Sequence, residues 1–381
     1  MTTSSGERAE LAAAVSRLVA DRAPLGSMPD VASGDTGYDS SVWRALAEYG
    51  FLGLLVPESL GGSGATLTEA AVVATELGRQ LVPGPYISSA VESTTLLVAA
   101  AENGADVGEL LAQLVSGTET SAVIGETATH SGVVVTGDVQ SGLQLDGEVS
   151  GILGADSSAT LLVVVSHSDA LAIVCVRAVE VTVTPIVLSD VTRRAATVRF
   201  ESVVIPREDV LLVGEAAREA LDLAAARAAV AIAADSVGGA AAALVLATEY
   251  AKTRHQFGRA IGSFQAIKHK LATMYIASDS AQAVAEHAAA SVERDLDGSR
   301  QIVLAAAAHC TAAYVAVAGD AIQTHGGIGF TWEHACHRYL KRAWLNQVSL
   351  GGQRALRASF ADRLFNAPGR PSGSEEPAAR S

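Results

Sequence analysis

Residues 196–227 read ATVRFESVVIPREDVLLVGEAAREALDLAAAR, and the run changes character at Gly214. Before it, short β-branched runs alternate with charge and are cut by proline and aspartate, the texture of strands. After it, alanine and leucine recur at helical spacing without a breaker. Upstream, the strand texture reaches back to about Thr118 through SAVIG, GVVVTG, LQLDG, TLLVVV, LAIVCV and VEVTVTPI. Short strands punctuated this way predict a small β-barrel or sandwich domain over 118–213.

Downstream, helical pieces follow at about 215–253, 264–294, 299–324, 332–347 and 352–365. They are rich in alanine and joined by short breaks. Small residues let helix axes approach closely, so 214–366 is expected to form an antiparallel four-helix bundle. The first third, 1–117, reads as helical too. ERAELAAAVSRLVADR repeats apolar positions at three and four residues, VWRALAEYGFLGLLVPE ends in a Gly/Pro break, and TLTEAAVVATELGRQL opens on a capping threonine. The tail 367–381, APGRPSGSEEPAARS, has the composition of a disordered segment. The fold class is mixed α and β: helical, then β, then a bundle.

At 381 residues and 49% hydrophobic, the chain can bury a core without staples. Cys175, Cys310 and Cys336 are far apart and show no CxxC motif or Cys/His ligand cluster, so neither disulfides nor a metal site is expected. His325 and His334 are read as helix-end or surface hydrogen-bonding groups. A formal net charge of −14 repels phosphate backbones and anionic lipid, which argues against nucleic-acid or membrane partners. The start MTTSSGERAELAAAVSRL has no signal-like apolar core, and no uninterrupted apolar run approaches the ~20 residues of a membrane span. A cytoplasmic chain is expected.

Three motifs fall on the predicted elements: FLGLLVPESLGGSG (51–64), RHQFGRAIGSFQAIKHKLATM (254–274) and QTHGGIGF (323–330). Arg254 ends a long helix, three residues before Phe257-Gly258, and offers the fork of donors a pyrophosphate requires. Gln265 opens the next helix, where free amides favour a phosphate or a polar ring edge. Gln323, followed by Gly326-Gly327, closes a helix with residues that allow positive φ and close backbone approach to an adenine or diphosphate. Taken singly, these are also a solvated helix end, a loop and a glycine cap.

The order of domains and the three motifs together resemble the acyl-CoA dehydrogenases over about residues 8–365. The resemblance implies that fold, FAD as cofactor, α,β-dehydrogenation of an acyl-CoA, and electron-transfer flavoprotein or a similar acceptor. It also implies that Arg254, Phe257, Gln265, Gln323, Gly326 and Gly327 hold the ADP half of FAD across a subunit interface. On the flavin side the chain departs from the pattern. Where active homologues carry a Thr-Glu-Pro, Ala-Gly-Ser-Asp turn, VIGETATHSGVVV keeps only Glu126 and Thr127. DGEVSGILGAD (146–156) puts Ser150 or Gly151 at the family's tryptophan and Leu153 at its hydroxyl.

The base is missing as well. Removing a proton α to a thioester needs a carboxylate within hydrogen-bond reach, which most relatives place just before a Gly-Thr pair. In RAWLNQVSLGGQRALR (342–357), Leu350 occupies that position, followed by Gly351-Gly352. A minority of relatives use the first bundle helix, where the place falls near Ala228, beside Arg227. Of the nearby acids, Asp222 and Asp235, the latter is the better remaining base, its ordinary reading being a helix-face charge. These losses resemble the base-lacking subunit of actinobacterial heteromeric (α2β2) dehydrogenases of steroid side-chain CoA thioesters, with a homologous partner supplying the glutamate. Two alternatives remain open: a homo-oligomeric flavoenzyme (oxidase, N-hydroxylase, or dehydrogenase with another base), and a non-enzymatic interaction subunit.

Overall fold

The computed structural model describes residues 5–22, 34, 37–125, 132–167, 170–332 and 334–365. The tail 367–381 and the pair Glu126–Thr127 lie outside them. Among the described residues, five α-helices precede the first strand: α1 (Ser5–Arg22), α2 (Ser40–Glu48), α3 (Leu67–Arg79), α4 (Thr94–Glu102) and α5 (Gly108–Val115). Asp39 caps α2 by accepting from the Ser41 and Val42 amides. Thr66 caps α3 in a reciprocal box with Glu69, satisfying two otherwise orphaned amides. The helical reading of 42–58 holds only to Glu48. Gly50 takes a φ of +77°, and the following loop lays Phe51, Leu52, Leu54 and Leu55 into the core. A π-helical turn, Tyr86–Ser93, leads into α4.

The strands are β1 (Ser121–Ile124), β2 (Val133–Asp138), β3 (Gly142–Leu153), β4 (Thr160–His167), β5 (Ala170–Arg177), β6 (Thr182–Ile186), β7 (Ala195–Ile205) and β8 (Val210–Val213). One sheet runs β1-β4-β5-β8, with β1 parallel to β4 and the rest antiparallel; the other, β2-β3-β7-β6, is antiparallel throughout. Leu145 and Val149 of β3, Val163 of β4, Val174 of β5, and Val198 and Phe200 of β7 share one core. The described strands therefore form the sandwich version of the β domain. On the opposite face of β4 and β5, Leu162, Val164 and Ile173 pack with Leu96, Leu97 and Leu111 of the N-terminal helices and Ala217 and Ala220 of the bundle. A sheet buried on both faces explains why TLLVVV is an unbroken apolar run.

The bundle consists of α6 (Glu215–Thr253), α7 (Gln265–Val292), α8 (Leu296–His325) and α9 (Cys336–Ser349), with α10 (Gly352–Phe365) against α8. Helices α6 and α8 are long and apolar enough to cross a bilayer, yet 67% of the apolar window of α6 is buried inside the protein. A helix enclosed on all sides reads as apolar all round. Where α3 crosses α6, backbone meets backbone: a Cβ at Gly78 would strike the Asp235 carbonyl, and one at Gly238 the Thr75 carbonyl.

This contact reverses an ordinary substitution rule. Alanine for glycine inside a helix normally stabilises by about 1 kcal/mol. Gly238→Ala is expected instead to lower the midpoint of thermal unfolding, because α3 would have to move off α6; a raised midpoint would disprove the close crossing.

Candidate functional site

Antiparallel packing puts the ends of α6 and α8 beside the starts of α7 and α9, at one end of the bundle. The ring of Tyr250, in the last turn of α6, stacks on His325 at the end of α8, with centroids 4.4 Å apart. Arg254 follows one turn after Tyr250, donates its amide to the Tyr250 carbonyl at 2.9 Å, and is exposed. The chain then turns through a small hairpin in which His255–Gln256 pairs with Arg259–Ala260. At its tip, Phe257 has a φ of 53° and is 90% exposed. A left-handed aromatic residue costs on the order of 1–3 kcal/mol and persists where its surroundings or its role demand it. The Ile261 amide donates back to the Arg254 carbonyl at 2.8 Å, and exposed Gln265 begins α7.

On the neighbouring helix end, Gln323, Gly326 and Gly327 are exposed. Gly326 has φ 64° and ψ −142°, a backbone open to glycine almost alone. The six residues expected to hold an ADP group are thus gathered at one end of the bundle. They come from two helix termini, a hairpin and a helix start.

The flavin-side positions look different. Ser150 and Gly151 form a bulge in β3, between register shifts at Val149 and Ile152. Ser150 Oγ lies 2.8 Å from Thr197 Oγ1, so that hydroxyl is engaged along the sheet. Leu350 caps α9, and Gly351 and Gly352, at φ 84° and 81°, turn the chain into α10. Gln353 then donates to the Ala308 carbonyl at 2.8 Å, fixing the turn on α8. The turn is well anchored and carries no acid. Ala228 is buried, while Arg227 reaches Thr95 Oγ1 and Glu293 Oε1, each at 3.3 Å.

Asp235, the base candidate from sequence, is neither a base nor a helix-face charge. It is 1% exposed and accepts from Arg193 at 2.9 Å, Arg342 at 2.8 Å and Asn346 at 2.7 Å. Two arginines and an asparagine hold this carboxylate inside the core, away from solvent. Asp222 is paired with Arg300 at 2.8 Å.

The acid that sequence reasoning missed is Glu92, in the π-helical turn against α6. Burial pushes its carboxyl up to about 7. No sequence signal marks it, since its surroundings come from distant segments; π turns do recur at functional sites.

His325 and His334 do hydrogen-bond at helix ends, to the Ala321 carbonyl and the Cys336 amide, and the fold also brings them beside a cysteine. His325, His334 and Cys336 form a cluster whose ligand-capable atoms all lie within 4.8 Å of one another. The short helical turn Gly326–Phe330 folds the chain back and brings them together. Burial pushes the Cys336 thiol up to about 12, and burial together with His325 lowers His334.

Glu92 gives a pH-dependent expectation. Its folded pKa, about 7, lies above its ordinary 4.5, so the fold opposes its ionisation. Stability is complete below about pH 4.5 and falls as pH rises through 7, by an amount on the order of 3 kcal/mol. Glu92→Gln should therefore raise the thermal midpoint over wild type at pH 8 and by much less at pH 5. An equal gain at both values would contradict the raised carboxyl.

Comparisons with known proteins agree with this geometry. The acyl-CoA dehydrogenase N-terminal domain profile matches residues 5–117, and the C-terminal domain profile residues 216–365. Acyl-CoA dehydrogenase IpdE2 of Mycobacterium tuberculosis is 32% identical over 365 residues, covering 95% of this chain and 98% of that protein. Among solved structures, the ChsE4-ChsE5 complex from Mycobacterium tuberculosis aligns with a TM-score of 0.85 at 26% identity, over 96% of this chain and 99% of that one. A variant of the Tcur3481-Tcur3483 steroid ACAD aligns with a TM-score of 0.84 at 26% identity, over 95% and 98%. With near-complete coverage in both directions, the chain belongs to the acyl-CoA dehydrogenase family, whose members are FAD-binding flavoproteins.

Proposed function

We propose that the chain is the base-lacking subunit of a heteromeric acyl-CoA dehydrogenase. It holds the ADP half of FAD, and a homologous partner contributes the catalytic glutamate and the flavin wall. The observation that carries this reading is an asymmetry. Arg254, Gln265, Gln323 and Gly326 stand exposed together at one end of the bundle, whereas Leu350 and the Ser150–Gly151 bulge occupy the places of the base and the flavin cover.

FAD, when bound, would supply the hydride acceptor for the β carbon of the acyl-CoA. This chain's residues bind and orient. The Arg254 guanidinium would pair with the pyrophosphate, the Gln265 and Gln323 amides would meet polar edges, and Gly326 and Gly327 would let the backbone approach a flat ring. The partner's carboxylate would take the α proton. Phe257, Phe330 and Trp332 are exposed by 90%, 72% and 64%, a surface rich in the aromatic residues that protein interfaces favour. The ChsE4-ChsE5 complex and the steroid ACAD support a partner of the same family and a steroid-type acyl-CoA substrate. Electron-transfer flavoprotein or a similar carrier would take the electrons.

A second reading is a homo-oligomeric dehydrogenase with its base elsewhere in the chain, for which the partly buried Glu92 in the π-helical turn is the acid to test. The two readings part on the behaviour of the isolated chain.

Co-expression with a homologous partner subunit is expected to give a yellow complex with one FAD per heterodimer, which Arg254→Ala leaves colourless. A purified homo-oligomer with full flavin occupancy and acyl-CoA turnover would overturn the heteromeric reading, and abolition of that turnover by Glu92→Gln would establish the second. In the isolated chain, Leu350→Glu should produce no turnover, because the flavin wall is also lacking; measurable dehydrogenation by that variant would show that only the base was missing.

A further inference from the structure

The rings of Tyr250, His325 and His334 pack together at the end of the bundle where the residues assigned to the ADP group gather. None of the three belongs to that set. We propose that the Tyr250–His325 stack is a positioning element for the ADP group, holding the segment that bears Arg254 in register with the segment that bears Gln323, Gly326 and Gly327. The inference rests on the reading that these four residues hold ADP, and it adds the contact that sets their spacing.

Tyr250 lies in the last turn of α6, and His325 is the last residue of α8. Their ring centroids are 4.4 Å apart and their planes 28° from parallel, a spacing at which aromatic rings attract beyond the area they bury. The His334 ring also packs against His325, tilted by 52° with its centroid 4.3 Å away. Both histidines are tied to the backbone. His325 Nδ1 donates to the Ala321 carbonyl at 2.7 Å, which fixes the rotation of the ring, and His334 Nδ1 accepts the Cys336 amide at 3.2 Å. His325 is 5% exposed, so the stack is internal.

Each side of the stack continues directly into the ADP segment it carries. The Tyr250 carbonyl accepts the Arg254 amide at 2.9 Å. On α8, the Gly326 amide next to His325 donates to the Ile322 carbonyl. Arg254 and Gln323 are exposed side chains on different helices, so their separation is set from beneath. A binding constellation must be held to within about 0.5 Å by packed supporting residues, and this ring pair joins the two helix ends directly below it. A contact serving only the fold would leave ligand affinity untouched, whereas a positioning contact acts on it.

ADP would be titrated calorimetrically into the full-length chain, alone and as the flavin-depleted complex with a homologous partner, at a temperature where circular dichroism shows each variant folded. The wild type is expected to bind ADP, and Arg254→Ala to lose it. Tyr250→Leu and His325→Leu should each weaken ADP about tenfold, while Tyr250→Phe, which keeps the ring, should restore binding to within about twofold of wild type. Because both changes break one contact, the double leucine variant should lose less than the product of the single losses. Gly238→Ala, a destabilising change elsewhere in the bundle, should leave ADP affinity as it is, which separates positioning from stability. ADP binding that Arg254→Ala abolishes but both leucine variants keep would overturn this inference alone. So would a Tyr250→Phe variant as weak as Tyr250→Leu, losses that multiply, or an equal loss in Gly238→Ala. A wild-type chain and complex that bind no ADP would overturn it together with the reading on which it rests. If one leucine variant fails to fold, the other and Tyr250→Phe decide.

Discussion

The guanidinium of Arg342 holds this molecule together. It is fully buried in α9 and reaches three other parts of the chain: Asp190 at 3.0 Å and Thr192 Oγ1 at 2.6 Å in the β6–β7 connection, Asp235 of α6 at 2.8 Å, and the Val82 carbonyl after α3 at 3.2 Å. Burying an ion costs several kcal/mol, and removing one partner of a buried pair about 3–5 kcal/mol. Such a group persists because its donors are met. Arg193 adds a second cation against Asp235, and burial with the neighbouring Arg342 holds it down to about 10, so it stays charged at neutral pH. Two arginines thus face two aspartates where the helical domain, the sandwich and the bundle meet.

That network fixes α9, and α9 links the two regions that bear on function. At one end Cys336 sits beside His325 and the glycines of the adenine-side segment. Toward the other, Asn346 donates to Asp235 at 2.7 Å and to Ser236 at 3.0 Å, one turn before Leu350. The Ser349–Gly352 turn is therefore held on a rigid support even though it presents a leucine. The turn keeps its support while position 350 carries a leucine.

Much of this was legible in advance. The capping role of Thr66, the strand texture of 118–213 and the bundle helices follow from local spacing, because the period of apolar residues reflects the geometry of each element. The misreadings share one cause. Residues 51–55 continue a helical-looking pattern, but Gly50 adopts a left-handed backbone and a Cβ at Gly53 would run into Val115 of α5. Asp235 looked like a helix-face charge because its partners Arg193 and Arg342 lie 42 and 107 residues away. The meeting of His325 with His334 was not legible because they lie nine positions apart, a distance that the turn Gly326–Phe330 removes.

The sequence alone determined the order of the helical, β and bundle regions and the absence of an acid at position 350, since these depend on residue identity and on neighbours within a few positions. Only the tertiary structure decided what each ionisable group does. It made Asp235 a structural anion, Glu92 a near-neutral carboxyl, and His325, His334 and Cys336 a single cluster. The environment of a charge is set by which distant segments enclose it, and nothing in the local pattern of the chain encodes that enclosure.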